Sequence, residues 1–258
     1  MFQIDVTIIN QKRLSSDCYI IEFISENIAK SAKPGQFIHI HCPAPESFFR
    51  RPFSIADINK NIVSIYYKRI GPGTKYLSSR KKGDTLNIIG PLGKGYPDNI
   101  KGKNIVFVAG GTGIASLNFL AKKLQPSKGK LFYGAKCKAE LVFANNFNKK
   151  NWQTFKSTDD GSAGFKGFVS DLFFNKSKNI LDSNTVVFMC GPHKLERAVA
   201  LFLIKNGISF YVSMESVFAC GLGVCQGCAI KKNRSEGYFL ACKDGPVFPG
   251  NEIDWKEV

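Results

Sequence analysis

The chain has 258 residues, 44% of them hydrophobic and 12% aromatic, which is enough to bury a core and rules out a disordered polypeptide. Its formal charge is +16, from 36 Lys and Arg against 20 Asp and Glu. The basic residues run from Lys12 to Lys256 with no long block and no nucleic-acid module, so the charge reads as a solvated Lys-rich surface that also favours phosphate-bearing cofactors, an acidic partner or both, rather than as a nucleic-acid site.

Residues 1–98 read as short β-rich runs, with candidate strands at Ile4–Ile9, Tyr19–Ile24, Phe37–His41, Ile62–Arg69 and Thr85–Ile89. Pro34-Gly35, Gly71-Pro72-Gly73 and Gly83-Asp84 punctuate them. Strands this closely spaced predict a small antiparallel β-barrel. From Lys103 the texture changes. The apolar run Ile105–Ala109 leads into Gly110-Gly111-Thr112-Gly113 and a helical pattern that places Leu117, Leu120 and Leu124 on one face. Leu131–Tyr133 and Leu141–Phe143 are further apolar runs, and Thr185–Met189 ends in Cys190-Gly191-Pro192 before a helix over Lys194–Asn206. Strands alternating with helices predict βαβ units and a parallel sheet over residues 99–212. Residues 213–258 hold a cysteine-rich loop and a short hairpin.

That loop runs Cys220-Gly-Leu-Gly-Val-Cys225-Gln-Gly-Cys228, and Cys242 follows fourteen positions later. The order C-x4-C-x2-C…C is that of a plant-type [2Fe–2S] centre. Gly221, Gly223 and Gly227 let the backbone curl so that amide N–H groups approach the sulfurs. A zinc site with four cysteine ligands is the alternative, but it more often takes two C-x2-C pairs, and only Cys225/Cys228 supplies one here. The other cysteines, Cys18, Cys42, Cys137 and Cys190, are scattered, as in a reducing cytosol and unlike a disulfide scaffold.

Three further motifs are ambiguous taken singly. Arg50-Arg51-Pro52-Phe53-Ser54, at the start of a strand, offers a cation for a diphosphate beside a ring for a flavin, or is an edge strand with a stray Arg. Tyr66-Tyr67-Lys68 leads to Gly73-Thr74, whose N–H and O–H groups suit phosphate oxygens, although Gly71–Gly73 also makes an ordinary turn. Gly110–Gly113, between an apolar strand and a helix, can seat a pyrophosphate, or is a tight turn that departs from G-x-G-x-x-G. Cys190-Gly191-Pro192 ends a later strand at the sheet edge where ligands bind, and Cys190 equally suits a buried small hydrophobe.

The order of these motifs on one chain resembles the ferredoxin-NADP reductase superfamily, and within it the electron-transfer subunits of class 1B dihydroorotate dehydrogenases. Arg51–Ser54 looks like the R-P-x-S flavin motif. Thr158-Asp159-Asp160-Gly161-Ser162, with Gly164 and Lys166-Gly167, is similar to that family's T-D-D-G-S-x-G-x-K-G stretch, and Cys242–Phe248 looks like the end of its cluster domain. Phe53 stands where the superfamily commonly has Tyr, and Gly-Gly-Thr-Gly where the subfamily often has G-G-G-x-G.

The resemblance implies a multi-domain α+β protein: a flavin-binding β-barrel (1–98), an α/β nucleotide-binding domain with a parallel sheet (99–212) and a small [2Fe–2S] domain (213–258). It implies FAD on Arg51, Pro52, Phe53, Ser54, Tyr66, Tyr67, Lys68, Gly73 and Thr74. NAD would lie against Gly110, Gly111, Thr112, Gly113, Cys190, Gly191 and Pro192, and the cluster on Cys220, Cys225, Cys228 and Cys242. The implied partner is an FMN-containing dihydroorotate dehydrogenase catalytic subunit in a heterotetramer of two plus two, with dihydroorotate oxidised on that partner in pyrimidine biosynthesis. NAD is favoured over NADP by family likeness, since Lys136 and Glu140 after the second strand of the nucleotide domain pull in opposite directions and Glu140 also fits the start of the next strand. The alternatives are a sister flavoprotein of a ferredoxin-dependent transhydrogenase or a sulfhydrogenase, and a zinc-stabilised binding module without redox activity. No basic region followed by an apolar run opens Met1–Val6 and no apolar run reaches the ~20 residues of a membrane span, so a cytoplasmic protein is expected.

Overall fold

Short apolar runs separated by turns build the first half of the chain. In the computed structural model, described for residues 1–44, 48–97, 100, 102–124, 129–148 and 151–258, strands β1 (Phe2–Arg13), β2 (Cys18–Ile24), β3 (Phe37–Ile40), β4 (Arg51–Asn59), β5 (Ile62–Lys68) and β6 (Thr85–Leu92) close a barrel in the order β1-β2-β5-β4-β3-β6. Every pairing in it is antiparallel. Helices α1 (Glu26–Ser31) and α2 (Pro72–Ser78) interrupt the strands. Ile8, Ile21, Ile38, Ile40, Ile55, Ile65 and Ile88 are fully buried within the barrel cluster, so alternate side chains on the strands form its core. On β3, Ile38 and Ile40 point inward, while Phe37 and His39 point out of the barrel and are buried by what packs there.

The second half alternates as its periodicity predicts: β7 (Asn104–Gly110), α3 (Ile114–Leu124), β8 (Gly129–Ala135), α4 (Ala144–Asn148), β9 (Trp152–Thr158), β10 (Phe165–Lys166), α5 (Val169–Ser177), β11 (Thr185–Cys190), α6 (His193–Lys205) and β12 (Ser209–Ser213). The sheet order is β10-β9-β8-β7-β11-β12, all parallel, with the strand order reversing beside β7. Leu141–Phe143 is not a strand. It is a turn whose Phe143 packs into the core just ahead of α4.

The cysteine module is an excursion from this sheet. After β12 the chain leaves through the cysteine loop and the hairpin of β13 (Ala229–Lys231) and β14 (Tyr238–Leu240), then returns as β15 (Val247–Pro249), antiparallel to β12 as a seventh strand. Phe248 and Trp255 anchor the return in the sheet's core. The barrel and the sheet meet through α3. Asn118 Nδ2 donates to the Ala56 carbonyl at 2.9 Å, and Lys122 Nζ lies 2.9 Å from Asp57 Oδ1. The expected boundary between Asp98 and Asn99 lies outside the described residues.

Candidate functional site

Antiparallel pairing of β4 with β5 sets the start of β4 beside the end of β5, so Arg51–Ser54 and Tyr66–Lys68 share one rim of the barrel. They wall a cleft of about 570 Å³ together with Ile70–Thr74. Thr112, Gly113, Ala115 and Cys190 of the nucleotide sheet form the facing wall. Ser213–Ser216, Phe218 and Pro246 of the cysteine module, with Phe37 of the barrel, form the third. Gly110, Gly111, Gly191 and Pro192 do not line this cleft.

Each barrel residue is held by identifiable contacts. Arg51 Nη1 donates to the Phe49 carbonyl at 2.6 Å, and its stem covers Gly73, where a Cβ would sit 3.2 Å from Arg51 Cγ. Among the described residues no carboxylate bonds this guanidinium, so its charge is open to an anion. Thr74 Oγ1 accepts from the N–H groups of Ile70 and Gly71 at 2.9 and 3.0 Å and donates to the Gly71 carbonyl, which fixes the turn into α2. Tyr67 stacks on Tyr19 at 5.6 Å and meets Phe53 edge-on at 5.6 Å, so Phe53 serves as a packing ring. The Tyr67 hydroxyl is buried at the cleft without a hydrogen-bond partner among the described residues, and burial, then the neighbouring Tyr19, raises its pKa. A buried donor of this kind calls for a hydrogen-bond partner, and the cleft is the space from which one could reach it.

Lys68 lines the cleft, and its charge is engaged within the protein. Its Nζ lies 2.6 Å from Glu140 Oε1 and 3.3 Å from Asp17 Oδ2, so its charge bridges the barrel and the nucleotide sheet. Burial works against that charge, but the Glu140 and Asp17 contacts outweigh it and raise the lysine's pKa. Glu140 therefore neither begins a strand nor stands free for a ribose. It sits in the turn after β8 with its carboxylate on Lys68.

On the nucleotide side, parallel pairing of β7 with β11 puts Cys190 beside Ala109 and brings the two sequence motifs together. A Cβ on Gly113 would collide with the Cys190 carbonyl, and one on Gly191 would lie 3.0 Å from the Gly110 nitrogen. Behind this seam the Gly191 N–H donates to Glu196 Oε1 at 3.1 Å, while Oε2 of the fully buried Glu196 has no hydrogen bond among the described residues and lies 3.8 Å from His193 Nδ1. Burial pushes the Glu196 carboxyl well above the ordinary carboxylate range, against the Gly191 hydrogen bond and with the charge of Glu215. Burial also raises the Cys190 thiol, next to Glu196 and Glu215. The Thr158–Ser162 loop follows β9, and its Ser162 Oγ accepts from the Lys138 N–H at 2.8 Å.

The four cysteines of the loop and hairpin come together. Cys228 Sγ lies 3.3 Å from Cys242 Sγ, and the Cys225 N–H points at Cys220 Sγ at 3.5 Å. The N–H of Gly223 points at Cys242 Sγ at 3.1 Å, that of Cys242 at Cys228 Sγ at 3.4 Å, and that of Leu222 at Cys220 Sγ at 3.4 Å. Burial pushes the Cys220 thiol up, but amide donors from Cys225, Leu222 and Val224 outweigh it and bring its pKa to about 6. Burial and the neighbouring Cys228 thiol push Cys242 up to about 12. Among the described residues no three ligand side chains close on a single metal position. Four thiols are the donor set a [2Fe–2S] centre takes, and amides already point at the sulfurs of Cys220, Cys228 and Cys242.

Two neighbours of this site carried no motif. Phe218, two residues before Cys220, packs on Phe37 at 5.0 Å and so joins the cysteine module to the cleft wall. His39 is fully buried under the loop, with a Cβ on Gly221 lying 2.6 Å from its Cε1, and Gly221 has φ +70°. Burial, then Arg50 and Arg51, lowers the His39 pKa to about 4. The only sequence signal was a polar ring in an otherwise apolar strand.

Residues 215–254 match the iron–sulfur cluster binding domain of dihydroorotate dehydrogenase B, and residues 107–200 match an oxidoreductase NAD-binding domain. The dihydroorotate dehydrogenase B (NAD(+)) electron transfer subunit of Caldanaerobacter subterraneus is 35% identical, over 95% of this chain and 96% of its own. This chain belongs to the dihydroorotate dehydrogenase B electron transfer subunit family. The Fusobacterium nucleatum member of that family is 33% identical over 97% of this chain and 98% of its own. The solved structure of an NADH-dependent reduced ferredoxin-NADP oxidoreductase, a flavin-based electron-bifurcating protein, superposes with a TM-score of 0.86 at 29% identity, covering 98% of this chain and 90% of that one. As a family member the chain is an oxidoreductase subunit for electron transfer, and its barrel, parallel sheet and cysteine module are the expected architecture. Among the described residues no helix is long and apolar enough to cross a membrane.

Proposed function

We propose that this chain carries electrons from the FMN of a catalytic dihydroorotate dehydrogenase partner through a [2Fe–2S] centre and FAD to NAD+, in a cytoplasmic heterotetramer of two plus two that serves UMP synthesis. Arg51–Ser54, Tyr66–Lys68 and Gly73-Thr74 would hold FAD. Arg51 supplies the open positive charge for its diphosphate, and Tyr67 supplies the unpartnered hydroxyl. NAD would enter against Thr112, Gly113 and Cys190, with Gly110, Gly111, Gly191 and Pro192 keeping the backbones close enough to form that wall. Cys220, Cys225, Cys228 and Cys242 would hold the iron, and residues 1–98, 99–212 and 213–258 would be the three working units. Bound FAD supplies the exchange between a two-electron hydride and single electrons that NAD and an iron–sulfur centre require. Phe37 and Phe218 exclude water along the short path between cleft and cysteine loop.

One observation carries this reading: a single cleft draws its walls from all three units, and its cysteine-module wall lies two residues from Cys220. Cys225→Ser tests it. Cys225 is exposed, so the substitution removes a ligand without opening the core. NADH should still reduce the flavin at a near-native rate, while dihydroorotate-dependent NAD+ reduction by the co-purified complex should fall by orders of magnitude. Native turnover in Cys225→Ser would take the cluster off the path.

A second reading, a subunit of a ferredoxin-dependent transhydrogenase, is favoured by the likeness to the ferredoxin-NADP oxidoreductase over nearly the whole chain. Affinity purification separates the two. Recovery of an FMN protein with orotate-linked activity supports the first, and ferredoxin-linked activity without it supports the second.

A further inference from the structure

His39 is the one histidine in the described core, and nothing in the electron path above uses it. Its place follows from the pleat of β3. Ile38 and Ile40 fill the barrel, so Phe37 and His39 face outward, where the cysteine module covers them. Phe37 receives Phe218, and the His39 ring receives the backbone of Gly221, where only a hydrogen can fit. An apolar side chain would fill that slot without penalty. Instead the position holds an imidazole that is 0% exposed, with neither ring nitrogen hydrogen-bonded among the described residues. Leaving such a group unmatched costs about 1–3 kcal/mol, so a partner is expected at the face it presents. That face is the Cys220–Gly221 turn, and the ring looks toward the Cys220 backbone without reaching hydrogen-bond geometry.

We infer that His39 is a positioning residue for the iron–sulfur loop, its neutral imidazole donating an N–H into the Cys220 end of the ligand cradle and so favouring the reduced centre. This rests on the [2Fe–2S] reading of the four cysteines. A donor aimed at ligand sulfur or at the carbonyl beside it offsets the negative charge that arrives with an electron, which is how hydrogen bonds tune such centres. Because β3 also carries Phe37 into the cleft wall, one strand would set the distance between the flavin and the loop and also tune the loop.

The test uses the full chain purified with its flavin and iron, as wild type, His39→Leu and His39→Gln. EPR-monitored potentiometry reads the centre, and pulsed EPR on protein labelled with ¹⁵N-histidine reads the contact. His39→Leu should keep its iron and FAD and lower the reduced-to-oxidised ratio at a fixed ambient potential at least tenfold, a 59 mV shift for one electron. His39→Gln, which keeps a donor, should recover most of that shift. The labelled wild type should show an imidazole nitrogen coupled to the reduced centre, and His39→Leu should lose the coupling. Equal potentials in wild type and His39→Leu, without nitrogen coupling, would overturn the inference while leaving the cluster in place. If His39→Leu fails to hold iron, the wild-type spectrum decides: coupling supports the contact and its absence overturns it. An iron-free wild type would remove the cluster reading, and the inference with it.

Discussion

The Lys68–Glu140 bridge is the contact most directly open to measurement, because it joins two units through one charge-assisted hydrogen bond. Nζ and Oε1 are 2.6 Å apart, with side-chain exposures of 23% and 12%, so solvent screens the pair far less than a surface bridge. A hydrogen bond to a charged group is worth about 1.5–3 kcal/mol and an exposed ion pair about 0.2–1. Asp17, at 3.3 Å, still neutralises part of Lys68 when Glu140 is lost. The coupling energy between Lys68 and Glu140 should therefore be about 1–2 kcal/mol. Lys68→Met should be the costlier single change, at about 2 kcal/mol, because it strands a nearly buried carboxylate. That corresponds to roughly 4–8 °C in Tm for a protein of this size. The assay is a double-mutant cycle of Lys68→Met and Glu140→Gln by thermal unfolding at neutral pH with saturating FAD. The folded pKa of Lys68 lies above its ordinary 10.5, so the stabilisation is fully present below pH 10.5 and is lost as pH rises through the folded value. A coupling energy under about 0.5 kcal/mol at neutral pH would refute the account of this bridge.

Arg51→Ala should raise the dissociation constant for FAD about 10–100-fold, the equivalent of one charge-assisted phosphate contact, with unchanged flavin retention on dialysis arguing against Arg51 as the diphosphate anchor. Gly113→Ala should destabilise the protein by about 1–3 kcal/mol and weaken NADH binding, since the new methyl meets the rigid Cys190 carbonyl; a native KM for NADH would mean that the seam does not shape the site. For Glu196, whose folded pKa lies above the ordinary 4.5, the protein loses stability as pH rises from 4.5 toward the folded value. Glu196→Gln removes that titration, so its unfolding free energy relative to wild type should climb with pH by up to about 1.4 kcal/mol per unit. A pH-independent difference would show that the carboxyl does not hold its proton.

Much of the site was legible because its chemistry is local in sequence. Cys220, Cys225 and Cys228 lie within nine residues, and their glycines announce the tight loop that turns amides onto sulfur. Arg51–Ser54 and Tyr66–Lys68 were readable as two motifs, and the antiparallel register of β4 and β5 places them on one rim. Lys68 shows where such reading stops. The family resemblance implied a place beside the cofactor, and no motif signalled that a carboxylate 72 residues away also engages its charge. Leu141–Phe143 was apolar enough for a strand, yet those residues cap a core beside α4 instead of pairing.

By itself the sequence determined the barrel, the parallel sheet and the thiol set, because periodicity, turn residues and ligand spacing are short-range properties of the chain. Tertiary structure alone decided how the units meet. It brought β15 back to β12, set Phe218 on Phe37, put Glu140 on Lys68 and laid Gly221 over His39. Those contacts depend on which faces remain to be buried once each unit has formed, and two outward side chains on one four-residue strand carry no sign of what will cover them.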